Sequence, residues 1–297
     1  MVVAFVAFVA FGAVGAVAGC GIDTAGTLAS SASSNEPAPP GDSSAPPRTG
    51  VAAPAVDAGA DSAPALPVCT DGTLGFDGID DYGTVPDDSG LDLDGDFTVE
   101  AWIKPGAQAV STAEMDLVSH HDALDSRGWV LLLKDGRVEI VVYGDEFGKK
   151  GYSAGNAGPA YVVPDKWAHV AGTLQGDTLR VYYDGKLRDT QDLATFFGRS
   201  TYVGALRFGR ASYVDDLRYV GELDDVRLSN VARYTGETAA RPTAILSIDG
   251  ATEASWRFDE TSGSTLIDAA TAKKHDGSIA PDTTQPSRRA SACIKDR

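Results

Sequence analysis

Apolar and polar residues alternate along Phe97-Thr98-Val99-Glu100-Ala101-Trp102-Ile103-Lys104. Phe97, Val99, Ala101 and Ile103 fall on one side, with Thr98, Glu100, Trp102 and Lys104 on the other, and a period of two predicts a strand with one buried face. Pro105 has no N–H to donate and ends the ladder. Further strand-like runs recur at short spacing: Gly128 to Lys134, Arg137 to Tyr143, Trp167 to Leu174 and Leu179 to Asp184. Asp135-Gly136 and Asp184-Gly185 sit beside them as hairpin pairs suited to positive φ. His120-His121-Asp122 reads as a loop. Long helical periodicity is missing, and Ser229 to Tyr234 allows at most a single turn. The pattern predicts an all-β domain.

Composition divides the chain into three parts. Residues Val2 to Ala18 are almost wholly apolar and end in Val17-Ala18-Gly19-Cys20, which resembles a bacterial lipobox. Residues 1–19 therefore read as a lipoprotein signal peptide and Cys20 as the lipidated residue. The alternative is a membrane helix, since about 18 apolar residues can just span a bilayer. No Lys or Arg precedes Cys20, which departs from the usual basic start. Gly21 carries no acidic retention signal, so the expected location is the cell envelope, as an outer-membrane lipoprotein. Residues 20–67 are rich in Ala, Ser and Pro and lack aromatic side chains. Such a stretch buries too little to offset its ordering entropy and predicts a disordered tether. Residues 68–297 form the expected single folded domain.

Four segments in this last part resemble the laminin G-like domains of the concanavalin A-like lectin and glucanase superfamily. They are Leu74-Gly75-Phe76-Asp77-Gly78-Ile79-Asp80-Asp81-Tyr82, Phe97 to Pro105, Lys166 to Thr173 with its Trp167-Ala168-His169-Val170 core continuing to Leu179 to Lys186, and Gly221-Glu222-Leu223-Asp224-Asp225-Val226-Arg227-Leu228. The resemblance implies a jelly-roll β-sandwich of two antiparallel sheets. A block from Ser255 to Gly263, with Asp268 and His275-Asp276-Gly277, precedes the first segment in many relatives but here follows the fourth. It reads as a permuted part of the same sandwich or as the start of a second, truncated domain, and the single unit is favoured. First and last strands of this fold lie side by side, so Cys69 and Cys293 are expected to form a disulfide in an exported chain. Closing so long a loop is worth roughly 5 kcal/mol in the chain-entropy model.

The resemblance also raises the question of catalysis. Glucanases of this superfamily carry two glutamates and an aspartate on one strand, and retaining hydrolysis needs paired carboxylates. Glu222 and Asp224 occupy the first two places, but Val226 or Arg227 stands where the second glutamate belongs. A non-enzyme is the expectation. His120, His121, His169 and His275 show no metal-ligand spacing, and His169 reads as a satisfied strand residue.

Net charge is −17, which disfavours nucleic acid and anionic lipid as partners. Neutral glycans, basic protein surfaces or an architectural role remain. Outside the cytoplasm, calcium fills weak oxygen cages; the candidate ligands are Asp77, Asp80 and Asp81 in one turn, joined by Asp224 and Asp225 if the strands approach. Sugar-binding sandwiches stack aromatic rings on pyranose faces, and the candidates here are Trp129, Tyr143, Tyr152, Tyr161, Tyr202 and Tyr213. Trp102, Trp167 and Trp256 read as core. The expected function is a lipid-anchored module binding carbohydrate or a glycosylated partner, with a protein-adhesion scaffold and a glucanase-type hydrolase as alternatives.

Overall fold

The computed structural model describes residues 72–110, 113–144, 151–193, 201–270, 273–280 and 286–290. Its strands are β1 (Gly72–Asp77), β2 (Gly83–Val85), β3 (Phe97–Pro105), β4 (Met115–Asp122), β5 (Arg127–Lys134), β6 (Arg137–Tyr143), β7 (Gly151–Ala154) and β8 (Ala168–Gln175). They continue with β9 (Thr178–Tyr183), β10 (Lys186–Asp192), β11 (Leu206–Phe208), β12 (Val220–Ser229), β13 (Thr252–Trp256), β14 (Thr265–Leu266), β15 (Gly277–Ile279) and β16 (Ser287–Ala290). One antiparallel sheet has the order β10-β9-β8-β3-β12-β1-β16, with β13 also beside β12, and the other runs β14-β15-β2-β11-β4-β5-β6-β7. The two sheets share one core, to which Leu74, Val99, Ile103 and Leu228 contribute from the first and Leu117, Leu131, Ile140 and Phe208 from the second.

Both expected hairpin pairs form turns. Asp135 and Gly136 have φ of 51° and 69°, and Asp184 and Gly185 have 49° and 71°. Positive φ at both central residues matches the right-handed twist of the flanking strands.

The C-terminal block completes the sandwich. β13 extends along the flank of β12 beyond β1, pairing Val226 with Trp256, and β14 and β15 join the second sheet at β2. The Trp256 ring meets Phe208 edge-on at 5.0 Å, so the block belongs to this core. β16 pairs with β1, Gly72 facing Ala290. Cys20, Cys69 and Cys293 lie outside the described residues.

One expectation changes in β3. The alternation is present, but its polar side is buried too: Thr98 and Glu100 are fully enclosed, beside Trp102, which is buried as expected. The segment after β12 folds back over them instead of forming a helical turn at Ser229 to Tyr234. Thr98 donates to the Val231 carbonyl at 2.8 Å, and the Arg241 guanidinium lies 4.6 Å from the Trp102 ring centroid. Glu100 is the hub of this layer. It accepts from Arg227 Nε at 2.8 Å and Nη2 at 2.6 Å, from the Tyr234 hydroxyl at 2.6 Å, and lies 3.0 Å from His169 Nε2. Burial by itself would raise the Glu100 carboxyl; the His169 hydrogen bond and charge, Arg227 and the Tyr234 hydroxyl outweigh it and hold the group at about 2. His169 is thus a buried structural partner, as its strand pattern suggested.

Candidate functional site

On the outer face of the second sheet, strand register lays side chains out in rows. Thr84, Arg207, Ser119, Val130, Val141 and Ser153 are successive cross-strand partners. In the next row His121 faces Gly128, and Tyr143 faces Gly151. The His121 and Tyr143 rings stack at 5.3 Å with planes 10° apart. Glycine is needed at both flanking positions. Gly128 has φ of +78°, and a Cβ there would lie 2.0 Å from the His120 carbonyl oxygen; a Cβ on Gly151 would lie 2.9 Å from Tyr143 Cε1.

His120 and His121 therefore occupy the end of β4 and not a loop. A strand turns consecutive side chains to opposite faces, so His120 packs inward near Trp129 and Tyr202 while His121 meets Tyr143 outside. A serine pair locks the outer ring. Ser119 Oγ is 2.9 Å from His121 Nδ1 and 2.9 Å from Ser212 Oγ, and Ser212 Oγ accepts from the His121 amide at 2.8 Å. The residue after Ser212 is Tyr213, whose ring meets His121 edge-on at 4.8 Å. Tyr202 donates to the Ser212 carbonyl at 3.2 Å. Three of the six candidate aromatics, Tyr143, Tyr202 and Tyr213, thus gather around one histidine pair.

The other three are placed differently. Trp129 is core, its indole donating to the Leu91 carbonyl at 2.8 Å. Tyr152 packs against the main core from β7. Tyr161 exchanges hydrogen bonds with the Val138 backbone and carries Arg188 4.6 Å from its ring centroid. Inward strand positions and backbone anchoring remove these rings from the tyrosine face.

Ser119, His121 and Asp116 bring together the residue types of a nucleophilic triad, but their geometry is different. Ser119 and Asp116 both address Nδ1 of His121, the latter at 3.9 Å, whereas a triad needs nucleophile and orienting acid on opposite ring nitrogens. Burial pushes the His121 imidazole down to about 3. The His121 imidazole is therefore neutral at pH 7. Burial, with the nearby Glu114 charge and against the opposing effect of the Ser119 hydroxyl, raises the Asp116 carboxyl well above its ordinary value.

The acidic turn after β1 brings together Asp77, Asp80 and Asp81, each offering an oxygen within 4.8 Å of the others. Asp81 is buried and accepts from the Asp77 amide through Oδ2, while Oδ1 has no partner. Burial foremost, then the Asp77 and Asp80 charges, raise its carboxyl to about 6. Asp224 and Asp225 do not join this group. Register sets Asp77 opposite Val220, which leaves Asp224 four residues farther along β12, roughly 13 Å at strand rise. Asp225 sits in the β12 bulge with φ of 46°.

At the resemblance to a glucanase strand, Glu222 accepts from Lys104 at 3.2 Å and Thr73 at 3.1 Å. Val226 points into the core and Arg227 is held by Glu100, so neither place supplies a second acid. A recess of about 280 Å3 lies elsewhere, lined by Arg257, Asp259, Glu260, Ile267 and Ala269, with no aromatic wall.

A family model of laminin G type, described as concanavalin A-like lectin/glucanases superfamily, matches residues 77–238, more than half of the 297. The chain belongs to this superfamily. No curated protein matches it in sequence. Among solved structures, this laminin G-like chain is similar to a candidate carbohydrate-binding protein from Bacteroides ovatus, with TM-score 0.51 and 17% identity, over 70% of this chain and 57% of that one. It also resembles a heptameric pentraxin from Limulus polyphemus at TM-score 0.42 and 16% identity, over 57% of this chain and 80% of that one. The first of these likenesses shows a shared fold. Sequence reasoning missed Ser119, His121 and Ser212; the period of two in β4 would have paired the first two, but nothing local announces Ser212.

Proposed function

We propose that this chain is a non-catalytic, lipid-tethered cell-envelope module that binds carbohydrate or a glycosylated partner on the tyrosine face of its second sheet. The observation that carries this reading is the His121–Tyr143 stack with Tyr213 at its edge, held by the Ser119–Ser212 pair. Aromatic rings with a polar rim suit the flat apolar face and hydroxyl edge of a sugar. The absence of a second acid beside Glu222 supports a binding role over hydrolysis. The superfamily also hosts enzymes, so fold by itself does not assign the activity.

Cys20 supplies the lipid and residues 20–67 the tether in this reading, with an outer-membrane location. The β1–β16 ladder supports the Cys69–Cys293 disulfide, because Gly72 faces Ala290 and each lies three positions from its cysteine. A structural calcium fits Asp77, Asp80 and Asp81, where Asp81 Oδ1 is a buried oxygen without a donor; loop carbonyls would complete the shell.

The test is a glycan array probed with the purified chain in calcium and in chelator. Binding that Tyr143→Ala reduces at least about tenfold, the loss of one stacked ring, supports the assignment; no binding to any glycan favours a protein-adhesion scaffold. A thermal melt raised by calcium in the native chain but not in Asp81→Asn supports the metal, and identical melts reject it.

A further inference from the structure

The C-terminal block with Asp268 and His275-Asp276-Gly277 lies outside the tyrosine face and holds a histidine between two carboxylates. The His275 side chain is 2% exposed, with Nδ1 3.2 Å from Asp268 Oδ2 and Nε2 3.3 Å from Asp88 Oδ1. Its backbone is fixed on both sides: the His275 amide donates to Asp268 Oδ2 at 3.0 Å, and the Trp256 indole donates to the His275 carbonyl at 2.9 Å. Asp88 comes from a distant part of the chain. It caps the 3-10 turn Ser89–Leu91, accepting from the Gly90 amide at 2.8 Å. The turn packs closely on the ring, since a Cβ on Gly90 would lie 3.1 Å from His275 Nε2 and 2.4 Å from Glu253 Oε1.

A neutral imidazole has one N–H and one bare nitrogen, so it can donate to only one of the two carboxylates. With Nδ1–H on Asp268, the bare Nε2 faces the Asp88 oxygen, acceptor against acceptor. Only the protonated ring donates to both. The two ends of this bridge are unequal. Asp268 is enclosed and receives the amides of Ser255, Ala270 and His275, so it keeps the ring in either form. The Asp88 side chain is 40% exposed and is otherwise held by the Gly90 amide and Lys273. The remaining charges around the ring are Glu253 from β13, Lys274, which donates to the Asp268 carbonyl, and Asp276, which accepts from the Asp268 amide. Leu91, at the far end of the turn, is buried and its carbonyl accepts from Trp129, which confines any release to Asp88 through Gly90.

We propose that His275 is a pH-operated clasp: protonated, it ties the Ser89–Leu91 turn to the C-terminal block through Asp88 and Asp268, and on losing its proton it frees the Asp88 end and widens the adjoining recess lined by Ser89, Gly90 and Glu253. The Asp268 hydrogen bond raises the imidazole above its ordinary 6.5; burial opposes it, and the Asp88 bond and both carboxylate charges add to the rise. A raised pKa contributes stability that is complete below the unfolded value and lost as pH rises through the folded one.

Thermal melts of the full chain and of His275→Gln are compared from about pH 5.5 to 8.5. The native lead should be largest below 6.5 and shrink by about 2–4 °C as pH rises through the folded value. Asp81, which also titrates in this range, is present in both chains and cancels. Exchange of the Gly90 amide, corrected for base catalysis, should lose about five- to tenfold of its protection over the same interval, between the upper value for an exposed ion pair and the lower one for a bond to a charged group. Asp88→Asn, whose side-chain amide can donate to the bare Nε2, should abolish that pH dependence and lower the His275 midpoint read from its Cε1 proton by NMR. A native lead independent of pH, or a native His275 midpoint at or below 6.5, overturns the proposal. If His275→Gln does not fold, the native titration and the Asp88→Asn exchange decide.

Discussion

Replacing Glu100 tests the account of the buried layer over β3. Glu100→Gln keeps the shape but removes the charge that faces Arg227, His169 and Tyr234. Breaking a buried pair by removing one partner costs about 3–5 kcal/mol. The depressed carboxyl corresponds to a similar figure. The folded carboxyl is held at about 2 against an ordinary 4.5, and a difference of that size corresponds to about 3 kcal/mol at 1.36 kcal/mol per pH unit. A depressed pKa contributes stability that is complete above the unfolded value and lost as pH falls. The gap between native and variant should therefore be about 3 kcal/mol at pH 7, narrow from pH 4.5 downward and close near pH 2. Urea unfolding followed by tryptophan fluorescence across that range measures it, and a melting shift of roughly 6–12 °C accompanies it in a domain of this size. A loss below about 1 kcal/mol at pH 7, the value of an ordinary surface pair, or a gap independent of pH, refutes the reasoning.

Asp116→Asn should act in the opposite sense. Native Asp116 keeps its proton well above 3.8 while the unfolded chain ionises there, so it costs stability as pH rises; the variant should be the more stable at pH 8 and equal near pH 3, and parallel pH profiles would sink the idea. Gly128→Ala forces a side chain into φ of +78° with its Cβ 2.0 Å from the His120 oxygen, at about 2–3 kcal/mol or more, and should weaken glycan binding as the His121–Tyr143 stack shifts; an unchanged melt contradicts the register. Intact mass after alkylation without reductant should show neither Cys69 nor Cys293 modified, and labelling of both would exclude the disulfide.

Much of the fold was legible in the chain. The period of two in β3, the Asp-Gly turns and the four laminin G-like segments are local or ordered along the sequence, so they read directly as strands, hairpins and a family. Three things were decided only by tertiary structure. Thr98 and Glu100 look like a solvent face, and only the return of the segment after β12 over β3 buries them. Asp224 and Asp225 look like companions of Asp77, Asp80 and Asp81, and the β1–β12 register separates them because one partner pair sets the position of every other residue on the strands. Tyr143, Tyr202 and Tyr213 are indistinguishable by type from Tyr152 and Tyr161. They come together because Ser212 reaches across 93 residues of chain to Ser119, and a contact that spans strands leaves no periodicity in the sequence from which it could be read.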